Sequence, residues 1–154
     1  MAPRQTEAPS LEQAFCQFAT GVVVVTGRNA DNELIVARAR AFNSLSLEPP
    51  LLLWSLDKAA GSFAAFKAAA GFVVHILAAD QEPLLRSISA RVAPDGCSAW
   101  FACEQVSYLD GDDHGIFVGE IRDYAYNERR PLVRCAGSFV IPSPDAAIAN
   151  ERTT

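Results

Sequence analysis

The segment ARARAFNSLSLEPPLLLWSL, residues 37–56, joins two runs of strand-forming residues through a pair of prolines. Pro49 and Pro50 lack the backbone N–H groups that a sheet ladder needs, so they interrupt the sheet. The apolar run LLLWSL, residues 51–56, then resumes it as a new strand. Two strands separated only by a proline turn indicate a sheet whose neighbours are joined by short connections.

The strand before the prolines has two different faces. In LIVARARAFNS, residues 34–44, side chains alternate between the two sides of a strand. Arg38 and Arg40 therefore share one face with Val36 and Phe42, while the other face carries isoleucine and alanines. The two arginines are either long cations that lie over apolar surface with their charge in solvent, or groups that shape a ligand pocket.

Local signals along the rest of the chain predict helices set between hairpin-like strands. Ser10 and Gln13 form a capping-box pattern, and Gly21 is predicted to end the helix that they begin. The further predicted elements are a strand at 22–26, a hairpin turn at 27–33, a helix from Ser62 that stops at Gly71, a strand at 72–77, a short helix at 80–92, and two long antiparallel strands, 97–109 and 115–126, joined around DGDDHG.

These elements predict a mainly β, α+β fold. Six strands with hairpin-like joins, rather than regular alternation of strand and helix, favour a closed or nearly closed antiparallel barrel with two or three peripheral helices. No GxGxxG or GxxxxGK[ST] pattern occurs, so neither a dinucleotide-binding turn nor a P-loop is predicted. We predict a flexible tail at residues 1–10, one domain at 11–141 and a second flexible tail at 142–154.

Composition excludes several classes of function. The 154 residues fit one domain, and half of them are apolar, as in ordinary globular proteins. A net charge of -5 argues against a nucleic-acid surface, which needs clustered Lys and Arg. No apolar run reaches the about 20 residues that a membrane span requires. Four cysteines without a CxxC pair predict reduced thiols in a cytoplasmic protein and no metal site.

The segment LDKAAGSF, residues 56–63, has the composition of a phosphate-binding loop. A strand end delivers Lys58 beside a helix that Ser62 would cap, so an ammonium group, a hydroxyl and free backbone N–H groups would meet at one point. The alternative is an ordinary capped helix next to a solvated lysine.

Two further polar features suit a planar heteroaromatic ligand. Ser44 and Ser46 are predicted on one side of a strand, where hydroxyls suit ring carbonyls and nitrogens, although serines before a proline turn also serve the turn itself. His114 follows two aspartates that would favour its charged form, so it is a candidate proton donor or anion contact, or else a turn histidine without a role. His75, inside an apolar strand, is predicted to be a satisfied core histidine.

Taken together, five segments resemble the short-chain flavin reductase family of FMN-binding split-barrel proteins. The matching segments are FATGVVVVT (18–26), AFNSLSLEPPLLLWSLDK (41–58), GSFAAFKAAAGFVVHILAADQ (61–81), GDDHGIFVGEI (111–121) and PLVRCAGSF (131–139). The resemblance implies a six-stranded antiparallel Greek-key split β-barrel, a homodimer, and FMN or FAD held near the dimer interface.

The resemblance also implies roles for individual residues. The flavin ring would rest on residues 38–46, its phosphate would meet the loop from Ser55 to Ser62, and His114 would lie near the nicotinamide as the catalytic residue. Arg38 and Arg40 stand where the family has small hydroxyl or amide residues, so they either bind a flavin oxygen or fill the place of the flavin. The implied cofactor-binding residues are Arg38, Ala39, Arg40, Ala41, Ser44, Leu45, Ser46, Ser55, Lys58 and Ser62.

The function implied by the resemblance is an NAD(P)H-dependent flavin reductase, with FMN or FAD as the flavin and NADH or NADPH as the hydride donor. It also implies a homodimer in the cytoplasm and a monooxygenase partner that receives the reduced flavin. The alternative is a split-barrel protein without reductase activity, which binds flavin or another planar ligand or serves as an interaction partner with a closed pocket. Neither nucleic acid nor a membrane is an expected partner.

Overall fold

The computed structural model describes Ala8 and residues 10–87 and 94–143. The predicted tails and the end of the predicted helix at 80–92 lie largely outside these described residues. The elements are, in chain order, α1 (Leu11–Phe15), β1 (Thr20–Gly21), β2 (Val23–Arg28), β3 (Leu34–Arg38), β4 (Ala41–Leu47), β5 (Pro50–Asp57), α2 (Phe63–Ala68), β6 (Gly71–Ile76), a 3₁₀-helix (Ala79–Arg86), β7 (Ala99–Gly111), β8 (His114–Tyr126), β9 (Val133–Cys135) and β10 (Ser138–Val140).

The main sheet has seven strands in the order β3-β2-β6-β7-β8-β5-β4, and every neighbouring pair is antiparallel. The predicted mainly β, antiparallel fold with few helices is therefore confirmed. The finer prediction, a six-stranded closed or nearly closed split barrel, is not confirmed: the sheet has one strand more, and no ladder joins its edge strands β3 and β4 within the described ranges. In that same part of the chain, no helix is long and apolar enough to cross a membrane.

The two edge strands of this sheet are consecutive in the chain. The single strand predicted at 34–44 is wrong, because its backbone changes partner in the middle. The N–H of Ala39 donates to the carbonyl of Val23 on β2, at 3.0 Å, and the N–H of Arg40 donates to the carbonyl of Ser55 on β5, at 2.8 Å. The chain thus passes from one edge of the sheet to the other within two residues, and the sheet curls so that both edges meet at this corner.

The curled sheet encloses an aromatic core around Trp54, which is fully buried. Its ring stacks on Phe117 with centroids 4.6 Å apart and meets the edges of Phe66 and Phe72 at 5.1 and 5.5 Å. Leu52 and Leu56 of the same strand also point inward, because alternate residues of a strand share a face. Burial of each such side chain contributes about 1.5–3 kcal/mol, so this face of β5 holds the fold together.

A second, smaller apolar cluster lies on the outer side of β2. Val22 and Val24 pack there with Leu77 and Leu132. A three-stranded sheet, β1-β9-β10, continues from this cluster, with Gly21 opposite Val133. The sequence did not predict this sheet, because strands of two or three residues carry almost no periodic signal.

Several predicted helix boundaries need correction. The capping box of Ser10 and Gln13 is present, but α1 ends at Phe15, and Gly21 belongs to β1 instead of ending the helix. The residue that follows α2 is Ala69, in an extended conformation, so Gly71 does not serve as a left-handed stop. Gly71 begins β6, where an added Cβ would lie 2.6 Å from the carbonyl oxygen of Cys103. The close approach of the neighbouring strand therefore explains why a glycine occupies this position.

Replacement of Gly119 by alanine should destabilise the fold. Its added Cβ would lie 2.6 Å from the ring of Phe72 and 2.7 Å from the Cβ of Cys103, in a buried position. Overpacking of this kind costs about 1–3 kcal/mol, measurable as a lower denaturant midpoint in urea unfolding. Gly61→Ala is the matched control, because nothing lies within 4 Å of a Cβ there. Equal stability of the two variants would contradict the packing argument.

His75 is buried, and its Nε2 forms a 2.9 Å hydrogen bond with Thr26 Oγ1, so the prediction of a satisfied core histidine is confirmed. Its Nδ1 lies 3.9 Å from the Sγ of Cys97. Burial lowers the pKa of His75 from 6.5 to about 4. The folded protein therefore keeps this ring neutral over a pH range in which the unfolded chain takes up a proton.

The depressed pKa of His75 predicts loss of stability on the acid side of neutrality. Since the unfolded chain binds the proton first, the free energy of unfolding should fall as the pH drops from 6.5 toward 4. Between pH 7 and pH 5 this one group should remove about 2 kcal/mol. His75→Gln should lose that part of the pH dependence, which urea unfolding of both proteins at the two pH values would measure. An equal decline in both proteins would show that other groups cause it.

Candidate functional site

The end of β5 and the turn of the β7–β8 hairpin form one corner of the main sheet. Asp57, the last residue of β5, lies opposite His114, the first residue of β8. Asp112 and Asp113 make the two-residue hairpin turn, and Asp112 has the positive φ of 61° that aspartate tolerates. The next residue after β5, Lys58, donates its backbone N–H to the carbonyl of Asp113 at 2.9 Å. The loop predicted to bind phosphate is thereby fastened to the hairpin turn.

The ammonium group of Lys58 forms an ion pair with the carboxylate of Asp110 near the end of β7. The Lys58 side chain is 34% exposed and that of Asp110 is 68% exposed. The hydrogen bond between them raises the pKa of Lys58 and lowers the pKa of Asp110. Lys58 therefore stays protonated, and its charge is already shared with a carboxylate of the same chain.

His114 faces the same corner through a different contact. Its Nδ1 lies 2.7 Å from Oδ1 of Asp113, and because a carboxylate only accepts, this nitrogen carries the proton. The hydrogen bond lowers the pKa of Asp113. The other nitrogen, Nε2, is buried without a hydrogen-bond partner among the described residues. A buried polar atom without a partner costs free energy, so Nε2 is a candidate contact for a ligand.

Ser62 precedes α2, as predicted, but it does not cap the helix with its side chain. Its backbone is in the helical region, and its hydroxyl makes no capping hydrogen bond. The predicted free backbone N–H groups are present in part, since those of Lys58, Ala59, Ala60 and Phe63 already donate to oxygens within the protein. The loop thus offers the Lys58 side chain, the half-buried Ser62 and the remaining N–H groups at the start of α2 as candidate binding groups.

Residues 38–41 form the corner between β3 and β4, and their side chains lie on different sides of the chain. Arg38 is exposed and lies opposite Val24, on the outer side with the second apolar cluster. Partial burial, and secondarily the nearby charge of Arg134, lower the pKa of Arg38. Ala39 packs against the main core, so of this set Arg40 and Ala41 remain beside the hairpin corner.

Arg40 is exposed, and its positive charge contributes to the lowered pKa of Asp113. Ala41 lies opposite Ser55, and Ser55 is buried on β5 between β4 and β8. Neither predicted arginine enters the aromatic core. The structure therefore brings Arg40, Ala41, Ser55, Lys58 and His114 to one corner and leaves Arg38 on a separate face.

Ser44, Leu45 and Ser46 lie further along β4 at an irregularity. Ser44 is opposite Leu52 and Ser46 is opposite Leu51, so Leu45 is an extra residue in the ladder. Neighbouring strand residues point to opposite faces, which places the two serines on opposite faces of the sheet. The prediction that they share one side is wrong, because the bulge cannot be read from the alternating pattern.

Sequence reasoning missed Asp110 as a site residue. The segment DGDDHG predicts the hairpin turn, but the contact between Lys58 and Asp110 depends on the pairing of β5 with β8 and of β8 with β7, which brings together residues far apart in sequence. A single sequence carries no local signal for that contact. The only hint was the density of aspartates opposite a lysine at a strand end.

A cavity of about 990 Å³ lies elsewhere, between the β2–β3 hairpin and the end of α2. Ala69, Gly71 and the Thr26–His75 pair are among its lining residues, and none of the predicted site residues lines it. The corner described above therefore lies away from this cavity. We place the candidate site at the corner, because it holds the charged groups that could bind an anionic ligand.

Comparison with known proteins identifies the family. A family model described as flavin reductase like domain matches residues 15–95, more than half of the chain. The chain belongs to the flavin reductase-like domain family. This flavin reductase-like chain carries Lys58, Ser62 and residues 38–46 within the matched range, whereas the β7–β8 hairpin with Asp110 and His114 lies beyond it.

Individual relatives extend the likeness to most of this flavin reductase-like chain. The FMN reductase (NADH) SmoA of Agrobacterium fabrum is 32% identical over 154 residues, covering 89% of this chain and 87% of that protein. The reductase component of a flavin-dependent trigonelline monooxygenase from Acinetobacter baylyi is 33% identical over 86% of this chain and 48% of that protein. The chain thus spans about half the length of some curated relatives.

A solved structure matches the same architecture. The NADH:FAD oxidoreductase SgcE6 of Streptomyces globisporus C-1027, in complex with NAD and FAD fragments, superposes with a TM-score of 0.79 at 30% identity. The match covers 89% of this chain and 93% of that one. The overall fold of this chain is therefore that of a flavin reductase-like protein.

Proposed function

We propose that this chain is an NAD(P)H-dependent flavin reductase whose flavin binds at the corner of β4, β5 and the β7–β8 turn. The observation that carries the proposal is the convergence of Lys58, Arg40 and the unpartnered Nε2 of His114 at one corner of a flavin reductase-like fold. The relatives named an NADH-dependent FMN reductase and an NADH:FAD oxidoreductase support FMN or FAD as the flavin and NADH as a hydride donor.

The side chains of this corner fit a flavin. A flavin nucleotide needs a cation for its phosphate and hydrogen-bonding groups for its ring, and the corner supplies an ammonium group, a guanidinium group, a free hydroxyl and an imidazole nitrogen. Lys58 and Ser62 would hold the phosphate, and Arg40 and Ala41 would border the ring beside Ser55. A bound flavin would supply the chemistry by accepting a hydride from the nicotinamide.

His114 is the residue of this set that we propose as catalytic. The hydrogen bond to Asp113 holds the ring through Nδ1 and leaves Nε2 without a partner among the described residues. That atom can form a hydrogen bond with the nicotinamide amide and so orient the donor ring. Positioning of this kind suits hydride transfer, in which the protein contributes orientation and exclusion of water more than acid–base chemistry.

We also propose a cytoplasmic homodimer that delivers reduced flavin to a monooxygenase. The relative named as a monooxygenase reductase component supports the partner. Exposed apolar side chains support a dimer, since Phe18, Leu47 and Tyr126 are 79%, 94% and 79% exposed in the single chain. Large apolar groups left in water are common at protein–protein interfaces. Residues 11–141 remain our boundaries for the domain.

Purified protein should oxidise NADH or NADPH only when flavin is present, with absorbance at 340 nm as the measurement. His114→Asn keeps a donor toward Asp113 but removes the Nε2 position, so it should lower kcat at least about 10-fold. Asp31→Asn, on the exposed β2–β3 turn, is the matched control and should leave the rate unchanged. Flavin binding without turnover would support the alternative of a non-reductase binding protein, and absence of both would refute the proposed function.

The proposed dimer should sediment as a species of twice the chain mass of 16.6 kDa. Leu47→Glu places a charge on the most exposed of the large apolar side chains and should weaken association about 10-fold or more, because desolvating an unpaired charge is costly. Sedimentation velocity over a concentration series would measure the shift. A wild-type protein that stays monomeric at all concentrations would contradict the dimer.

A further inference from the structure

The candidate phosphate site already holds an anionic group of the same chain, the carboxylate of Asp110. We propose that Asp110 determines flavin specificity by competing with the ligand phosphate for Lys58, and so disfavours FMN relative to riboflavin. This inference rests on the proposed function, because it concerns the same corner. It assigns a role to a residue outside the set of flavin contacts.

The competition follows from the way in which Lys58 is held. Its ammonium group already contacts the carboxylate of Asp110, and its side chain is only partly exposed, so a second anion meets a cation that is already paired. A phosphate that binds Lys58 must therefore displace or approach Asp110. Riboflavin has the same ring and ribityl chain but no phosphate, so its binding leaves the ion pair intact.

The charges around Lys58 add to the effect of Asp110. Asp112 and Asp113 lie in the adjoining turn, and Asp57 ends the neighbouring strand. The nearby cations are Arg40, whose charge acts on Asp113, and Lys67, whose charge acts on Asp110 and which sits over the ring of Tyr108. Four carboxylates therefore face three cations, and a phosphate dianion enters a corner that is already negative.

The magnitude of the effect is set by the exposure of the pair. Exposed ion pairs contribute little, equivalent to a factor of up to about 5 in affinity. Removal of Asp110 frees the ammonium group of Lys58 for the phosphate. We therefore expect Asp110→Asn to tighten FMN binding about 5-fold and to change riboflavin binding less than about 2-fold.

Flavin fluorescence titrations of riboflavin and FMN against the purified protein would test the inference. Asp112→Asn is the matched control: it removes the same charge two residues away, it does not contact Lys58, and asparagine tolerates the φ of 61°. It should change the FMN affinity less than about 2-fold. In a Lys58→Met background, Asp110→Asn should give no gain for FMN, because the group that it frees is absent.

Each outcome has one interpretation. A selective gain for FMN in Asp110→Asn that vanishes without Lys58 supports the inference. An unchanged ratio of FMN to riboflavin affinity, an equal gain in Asp112→Asn, or a gain that persists without Lys58 overturns it, while flavin binding by the wild type leaves the proposed function standing. If neither flavin binds the wild type, the proposed function fails and this inference with it. Asp110→Ser gives an independent measurement should the asparagine variant fold poorly.

Discussion

The exchange of backbone hydrogen bonds at Ala39 and Arg40 is the constraint on which the rest of the structure depends. The N–H of Ala39 donates to β2 and the N–H of Arg40 donates to β5, so the two edges of a seven-stranded sheet meet within a single dipeptide. Because buried backbone groups must be paired, the corner can close only if both carbonyls are in place. The corner between β3 and β4 fixes Ser55 beside Ala41. Through the pairing of β5 with β8, it also holds Lys58 against the hairpin turn.

Features with local causes could be predicted from the sequence. The capping box at the start of α1 and the hairpin between β7 and β8 both follow from residues a few positions apart. The antiparallel β class follows from the strand patterns and turns. The division of 34–44 into two strands could not be predicted, because Ala39 and Arg40 continue the alternating pattern and only their distant partners, Val23 and Ser55, end it.

The candidate site was predictable in its residue types and less so in its arrangement. Lys58 and His114 lie at one corner because both stand at strand ends that pair with each other. Ser44 and Ser46 are separated onto opposite faces by the bulge at Leu45, and the Ser62 hydroxyl does not cap α2. These differences concern hydrogen-bond partners, which depend on backbone detail that composition and periodicity do not encode.

Contact, and not net charge, would govern the binding of an anion at this corner. The chain carries a net charge of -5, which alone would repel a flavin phosphate from any approach. At physiological ionic strength, however, exposed charges are screened beyond about 8 Å, so the groups that matter are those within a few ångströms of Lys58. Since Lys58 and Asp110 are both solvent-accessible, their pairing is weak enough to exchange. The proposed contact between the nicotinamide and Nε2 of His114 differs from this pair, because Nε2 is buried and has no hydrogen-bond partner among the described residues.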